Sequence, residues 1–353
     1  MAKDNEIREY SLMRVILILM VLFGHIVIHQ SWHPLYGGVR FDDMLLSAGY
    51  PDSQIHIIMV RVALFIYQFH MAAFLALSGA LFRLTIGRYH SIIQLIKKKG
   101  LRLLVPFFLV TLFYVAPIKY FTGCFVPGVS LKVSILNGLL LLRGNNYLWY
   151  LPVLFLVTVL VYLLEKIHIH PYVKLLVVLL LHESRFLFPS LLYMTFEDLL
   201  WFYSGFLFED SRPEANHFIM RHKYFTLIAW IILLLARILT VNGKLSSIQT
   251  MIYHLTAFTG MFAVYSTAVI LSCTAKRASR FISMISANGM GIYIYSDPLN
   301  YIITYQFVTM FGICALSSNK MSGILLLIKM FSTLFVPIIL CKALRRLHLQ
   351  FLT

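Results

Sequence analysis

The sequence predicts an all-α fold, a polytopic membrane helix bundle of about ten transmembrane helices. Apolar residues make up 60% of the chain and charged residues only 12%, and the mean hydropathy is +0.82. A single soluble core cannot bury that much apolar surface, whereas helices in a bilayer keep apolar side chains in contact with lipid. The apolar residues also fall into runs close to the length, about 20 residues, that a helix needs to cross a membrane.

Ten such runs follow one another between short polar loops. The first follows charged residues and is not followed by a small-residue cleavage site, so we expect an uncleaved first helix. The fifth is short, and a further stretch at 131–142 is a candidate buried or interfacial piece. No repeat or long linker divides the runs, so we expect one membrane domain over residues 1–353 without a soluble extension. The predicted spans are 11–30, 56–82, 101–122, 147–165, 171–182, 190–208, 223–241, 251–273, 286–313 and 322–345.

The basic residues predict the orientation. On the ten-helix arrangement, nineteen of the 30 Lys and Arg residues lie on one side of the membrane, seven on the other and four within spans. Since positively charged loops stay in the cytoplasm, both termini are predicted to be cytoplasmic. This bias explains most of the net charge of +16 and argues against a nucleic-acid partner, which would need the cations on one exposed face. The four cysteines show no metal-ligand spacing, and we expect no metal site.

The first apolar run carries two ionisable residues, Arg14 and His25, in the stretch RVILILMVLFGH. Ionisable side chains in hydrocarbon are costly and are rarely kept without a function. Eleven residues at about 100° each come to within about 20° of three full turns, so both side chains share one helix face about 16 Å apart. His25 is our candidate proton acceptor, and a neutral histidine bonded to a neighbouring helix is the alternative. For Arg14 the alternative is a side chain that reaches the cytoplasmic headgroups.

Three further stretches extend this pattern along the chain. Residues 69–82 read FHMAAFLALSGALF, residues 97–106 read KKKGLRLLVP and residues 146–152 read NYLWYLP. Together with Arg14 and His25, these stretches resemble, in order and over nearly the whole chain, the motifs of acyltransferase family 3. Members of that family are integral-membrane O-acyltransferases of surface glycans.

The resemblance implies transfer of an acyl group, usually acetyl, from cytoplasmic acetyl-CoA to a hydroxyl of a cell-envelope or exported polysaccharide. We accordingly expect acetyl-CoA as cosubstrate and a multi-pass location in the plasma (inner) membrane. A sugar hydroxyl is a poor nucleophile, so a base must take its proton, and His25 is the candidate. Arg14 would neutralise phosphate or oxyanion charge. The cations expected to meet the nucleotide end of CoA are Arg83, Lys99 and Arg102, although the orientation rule alone also yields basic residues there.

Five further residues are candidates for the pocket. His70 lies beside a small-residue stretch that includes Ser78, where close helix contact is the alternative role. Glu197 has an acidic neighbour and either orients a histidine or joins a structural ion pair. Asp297 is an acidic group within the ninth predicted span. Trp149 is expected at the membrane interface, with stacking on a glycan as the alternative.

A transporter or export component for a lipid-linked glycan is the alternative to an enzyme. Transporters tend to show inverted repeats and broken helices at matching positions of two halves, and the sequence shows neither. Phosphate-binding glycine loops, zinc-ligand motifs and nucleophile elbows are also absent from the sequence. The sequence leaves open whether the acyl group is acetyl or larger, and whether the acceptor is met within the bundle or on a separate protein.

Overall fold

A computed structural model describes residues 7–31, 47–123, 125, 129–142, 146–241, 249–274 and 280–352. Every secondary-structure element in these ranges is helical, as the composition predicts. A short helical segment, Leu131–Leu140, lies between the fifth and sixth of the helices named here. In chain order these are α1 (Arg8–Ser31), α2 (Gln54–Ile66), α3 (His70–Arg83), α4 (Ile92–Val110), α5 (Ala116–Phe121), α6 (Tyr150–Lys166), α7 (Pro171–Glu183), α8 (Ser190–Phe208), α9 (Arg212–Arg221), α10 (Tyr224–Val241), α11 (Gln249–Thr274), α12 (Arg280–Phe311) and α13 (Asn319–Arg346).

Six spans in the described ranges are long and apolar enough to cross a membrane. The chain bends by 91° between Ser190–Arg221, which comprises α8 and α9, and Tyr224–Ile238 of α10. If these two segments count as one broken span, the number of spans is seven. The predicted count of about ten is therefore not confirmed, and the cytoplasmic position of both termini stays a prediction. The six are Arg8–Val27, Gln54–Arg83, Ile92–Phe121, Tyr147–Lys166, Met251–Thr274 and Asn319–Arg346.

Two helices show why apolar runs and membrane spans differ in number. α7 covers the fifth predicted span but has only 13 residues. That is about 20 Å of helix, whereas the hydrocarbon core of a bilayer is about 30 Å thick. α12 has 32 residues, but Asn288, Asp297 and Asn300 lie among its apolar residues and lower its hydropathy.

α1 lies inside the bundle, in contact with α2, α3, α11, α12 and α13. It comes especially close to α12 at Gly289, where an added Cβ would lie 2.5 Å from the Ile18 side chain and 3.6 Å from that of Arg14. Small residues allow such close approach between membrane helices. The polar face of α1 is thereby turned toward protein.

α3 and α8 also meet through glycines. A Cβ at Gly79 would lie 1.9 Å from the Phe202 carbonyl oxygen, and a Cβ at Gly205 would lie 1.9 Å from that of Ala76. No side chain fits at either position without separating the two helices. The small-residue stretch of α3 thus serves close helix contact, which was the alternative role considered for it.

Candidate active site

Two side chains of α1 are held by two side chains of α12. Arg14 Nη1 donates to Ser286 Oγ at 3.4 Å, and His25 Nδ1 lies 2.5 Å from Asp297 Oδ1. In each pair the α12 residue comes 272 positions after its α1 partner in the sequence. Because this separation is the same at both contacts, the two helices run in the same direction. The face that Arg14 and His25 were predicted to share is the face that meets α12.

The pair of His25 and Asp297, called the dyad below, has the geometry of a general base held by a carboxylate. Asp297 is 1% exposed, whereas the His25 side chain is 20% exposed. With the carboxylate ionised, it can only accept a hydrogen bond, so Nδ1 carries the imidazole proton and Nε2 keeps its lone pair. A buried carboxylate in this position also stabilises the imidazolium that forms when Nε2 takes a proton.

Pro298 explains why a tyrosine bonds to the middle of α12. Proline has no amide hydrogen, so the carbonyl of Ile294, four residues earlier, lacks its usual helical donor. The Tyr147 hydroxyl donates to that carbonyl, and the Tyr293 hydroxyl donates to the Tyr147 carbonyl. The Tyr147 ring meets the His25 ring edge-on, with 6.1 Å between centroids. These two reciprocal bonds hold the start of α6 against α12 beside the base.

His70 is a buried neighbour of the His25 region. It is 2% exposed, its Nδ1 donates to the Ile66 carbonyl at 3.0 Å, and its ring lies 4.6 Å from the Tyr67 ring. Tyr67 in turn lies against Gly24, where an added Cβ would come within 2.5 Å of the tyrosine ring. His70 therefore supports the wall beside His25 and does not line the cavity described next.

A cavity of about 420 Å³ lies between α1, α3, α4, α6 and α12. At one end its lining contains Lys99 and Arg102, and this end of the bundle is called the basic end below. Arg14 lines the same cavity. At the other end lie the rings of Tyr150 and Tyr293. The cavity thus combines three cations with two tyrosine rings.

The dyad lies one helical turn beyond this cavity. Val21 of α1 and Tyr293 of α12 belong to the lining, and His25 and Asp297 each follow four residues later, about 6 Å along their helices. Asp297 was predicted as a pocket residue. The structure instead places it behind the cavity, where it holds His25.

Of the three predicted donor-binding cations, Lys99 and Arg102 line the cavity and Arg83 does not. Arg83 Nε donates to Asp210 Oδ1 at 2.9 Å, and its guanidinium lies 5.2 Å from the centroid of the Phe206 ring. Arg83 occupies the last turn of α3, where it faces α8 and the turn that follows it. Its neighbours therefore place it in a surface ion pair.

The remaining predicted pocket residues are divided between the cavity and its surroundings. Ser78 lines the cavity, and its hydroxyl is hydrogen-bonded to the Tyr150 hydroxyl at 2.7 Å. Trp149 is outside the lining, with its ring edge-on to Tyr150 at 6.3 Å. Glu197 is also outside the lining, and its backbone carbonyl accepts from His182 Nδ1 at 3.0 Å. Glu197 thus orients a histidine, but through its main chain.

His182, Glu183 and His254 form a second polar group, whose ligand-type atoms lie within 4.8 Å of one another. The two histidine Nε2 atoms are 2.7 Å apart. Two imidazoles on one tetrahedral zinc, with bonds of about 2.0–2.1 Å, would place their nitrogens about 3.3 Å apart. The shorter distance fits a hydrogen bond between the rings, in which His182 accepts because its Nδ1 proton is already bonded. That this protein needs no metal stays a prediction.

Sequence reasoning did not select Lys329 as a site residue. This lysine of α13 is 0% exposed, and its Nζ donates to the carbonyl of Ile26, the residue after His25, at 3.4 Å. The available signal was the same as for Arg14, a cation within an apolar run. Its contact with the backbone of α1 places a cation close to the base.

The helical spans and the imidazole–carboxylate pair define an integral-membrane protein with a candidate acid–base site. A family model described as an acyltransferase domain matches residues 7–342, which is nearly the whole chain. The chain therefore belongs to acyltransferase family 3, and the protein is an acyltransferase. No curated protein and no solved structure compared with the chain matches it.

Proposed function

We propose that this acyltransferase moves an acetyl group from cytoplasmic acetyl-CoA to a hydroxyl of a cell-envelope or exported polysaccharide, in the plasma (inner) membrane. The main support is the position of the dyad, one turn beyond a cavity that contains Arg14, Lys99 and Arg102. Transfer from an anionic donor to a neutral hydroxyl needs cations for the donor and a base for the hydroxyl. The cations line the cavity, and the base lies one helical turn beyond it.

The basic end of the cavity suits the nucleotide part of acetyl-CoA. CoA carries its phosphates at one end of a long pantetheine arm and its thioester at the other. Lys99 and Arg102 supply cations for the phosphates. In the proposed orientation this end faces the cytoplasm, where acetyl-CoA is available, and the thioester points toward the dyad.

The position of Arg14 favours contact with the acyl donor over contact with the reacting carbonyl. It precedes His25 by eleven residues, about 16 Å along α1. An oxyanion that forms beside an acceptor bound at His25 is therefore beyond the reach of the Arg14 guanidinium. Of the two roles predicted for Arg14, neutralisation of phosphate charge on the donor is the one that its position in the lining favours.

The proposed step is a direct transfer. The acceptor hydroxyl gives its proton to His25 Nε2 while its oxygen attacks the carbonyl carbon of the thioester. The new C–O bond forms, the C–S bond breaks, and the CoA thiolate leaves and takes the proton from the imidazolium. Asp297 stabilises the imidazolium between these two proton transfers. The products are an acetyl ester and free CoA.

The test compares envelope glycans from cells that carry the wild type, the His25→Ala variant or no copy of the protein. Mass spectrometry should show O-acetyl groups only with the wild type, while both proteins reach the membrane in equal amounts. His90→Ala, which changes an exposed histidine outside the cavity, is the matched control and should keep acetylation. Acetylated glycan in His25→Ala cells would remove His25 from the mechanism. Glycan that reaches the surface only when the protein is present, without a change in mass, would favour an export component.

A further inference from the structure

We propose that the hydroxyls of Ser78 and Tyr150 bind an amide carbonyl in the pantetheine arm of the donor, between the basic end of the cavity and the dyad. An amide that enters a cavity between helices loses its hydrogen bonds to water, so it needs a partner there. This inference rests on the proposed function, because it concerns a donor that runs along the cavity toward His25.

One face of α3 contributes a row of side chains to the lining of the cavity. Met71, Phe74, Ser78 and Phe82 follow one another at intervals of three or four residues, which places them on the same face of the helix. The row covers eleven residues, about 16 Å of helix. A donor that runs along the cavity therefore passes these side chains in turn.

The row leads from the basic end toward the dyad. At Phe82, the Nζ atom of Lys99 lies 5.4 Å from the centroid of the ring. Met71 comes directly after His70, the buried histidine beside the dyad. Ser78 lies between them, one helical turn or about 6 Å from Phe82 and about 10 Å from Met71. A donor with its phosphates at the basic end and its thioester toward the dyad thus places its arm at Ser78.

The hydroxyls of Ser78 and Tyr150 retain a hydrogen that the protein does not use. Their oxygens are 2.7 Å apart, so one of the two hydroxyls donates to the other. The pair carries two hydrogens, and within the described part of the chain neither hydroxyl has another hydrogen-bond partner. Whichever hydroxyl donates within the pair, one hydrogen is left for a ligand in the cavity.

Three other hydroxyls in the lining have their hydrogens engaged. Those of Thr85, Thr158 and Tyr293 each donate to a carbonyl of the main chain. The Ser78–Tyr150 pair therefore differs from them in having a donor to offer. The pantetheine arm supplies amide carbonyls, which are strong acceptors for such a hydrogen.

The experiment compares acetyl-CoA with 3′-phospho-ADP, the nucleotide of CoA without its pantetheine arm. Titration calorimetry measures the binding of each to the full chain in lipid nanodiscs. The double variant Ser78→Ala/Tyr150→Phe should bind acetyl-CoA about tenfold more weakly, because a hydrogen bond to the arm is lost. It should bind 3′-phospho-ADP as tightly as the wild type does. Ser204→Ala/Tyr162→Phe is the matched control, since it removes the same two groups outside the lining and should change neither affinity.

Analogues of acetyl-CoA test the same contact without a change in the protein, in case the double variant does not fold. In each analogue one amide of the arm is replaced by a trans alkene, which keeps the shape but has no carbonyl. One of these analogues should bind the wild type about tenfold more weakly than acetyl-CoA does.

Three results would overturn the proposal and leave the donor site itself intact. They are wild-type affinity of the double variant for acetyl-CoA, an equal loss of affinity for both ligands, and alkene analogues that all bind the wild type as tightly as acetyl-CoA. An equal loss for both ligands would mean that the two hydroxyls support the cavity and do not contact the arm. Failure of the wild type to bind acetyl-CoA at all would instead contradict the proposed function.

Discussion

Asp297 holds His25 across 272 residues of sequence, with Oδ1 2.5 Å from Nδ1. Arg14 and Ser286 have the same sequence separation, so two parallel helices from the first and last quarters of the chain present matched polar residues to each other. A buried acidic group is costly, and this contact offsets part of the cost while it fixes the tautomer of the imidazole. The two partners have different parts in the proposed reaction, so their removal should have different effects.

Asp297→Asn should lower the rate of glycan acetylation about 10²- to 10⁴-fold without loss of the folded protein. The asparagine amide can donate to Nδ1, which moves the imidazole proton to Nε2 and removes the lone pair that accepts the substrate proton. The rate is measured in membrane vesicles supplied with acetyl-CoA. Asp210→Asn is the control, since Asp210 is exposed and pairs with Arg83, and it should retain the full rate. A wild-type rate for Asp297→Asn would show that His25 does not depend on the carboxylate.

Lys99→Gln and Arg102→Gln should each raise the KM for acetyl-CoA about tenfold with little change in kcat. A hydrogen bond from a cation to phosphate contributes about 1.5–3 kcal/mol, and this contact is the same before and during the reaction. Lys97→Gln provides the control on the same helix, because Lys97 is exposed and outside the lining. Arg83→Gln should also leave the KM unchanged. Equal KM values for all four variants would mean that this basic run serves only membrane orientation.

Tyr147→Phe should lower the free energy of unfolding by about 1–3 kcal/mol, because it takes a hydroxyl donor away from the buried Ile294 carbonyl. Pro298→Ala supplies an amide hydrogen at the position from which a helix normally bonds that carbonyl. The double variant should therefore regain part of the loss. Thermal unfolding in detergent of the two single variants and the double variant measures this coupling. Strictly additive effects would show that Pro298 is not the reason for the Tyr147 contact.

Gly205→Ala should strongly reduce the amount of folded protein. The added Cβ would meet the Ala76 carbonyl oxygen at 1.9 Å, so α3 and α8 would have to separate. Gly138→Ala, with no atom within 4 Å of the added Cβ, is the matched control. Size-exclusion chromatography of both variants in detergent shows which of them remain monodisperse. A well-behaved Gly205→Ala protein would mean that the two helices can move apart at low cost.

Composition and the spacing of residues close in sequence predicted a large part of the candidate site. Apolar composition gave the helical membrane class, and the helical period of 3.6 residues gave the shared face of Arg14 and His25. The placement of Lys99 and Arg102 beside a cavity also agrees with their predicted role, which itself stays a proposal. These features depend on residues that are close in sequence, so no knowledge of the three-dimensional arrangement was needed.

Contacts between distant segments were not accessible in this way. In the sequence Arg83 resembles Lys99 and Arg102, and only its neighbours on α8 place it in an ion pair with Asp210. Asp297 was a candidate for the pocket, yet its role as the partner of His25 depends on which helices lie side by side. The number of spans was uncertain for a similar reason, because an apolar run can form a short or bent helix as well as a straight one.

The parallel arrangement of α1 and α12 also bears on how the protein is made. His25 enters the membrane with the first helix, whereas the ribosome adds Asp297 only 272 residues later. Through most of translation the imidazole therefore lies in the bilayer without its carboxylate. The candidate acid–base site can therefore assemble only after most of the chain has been synthesised.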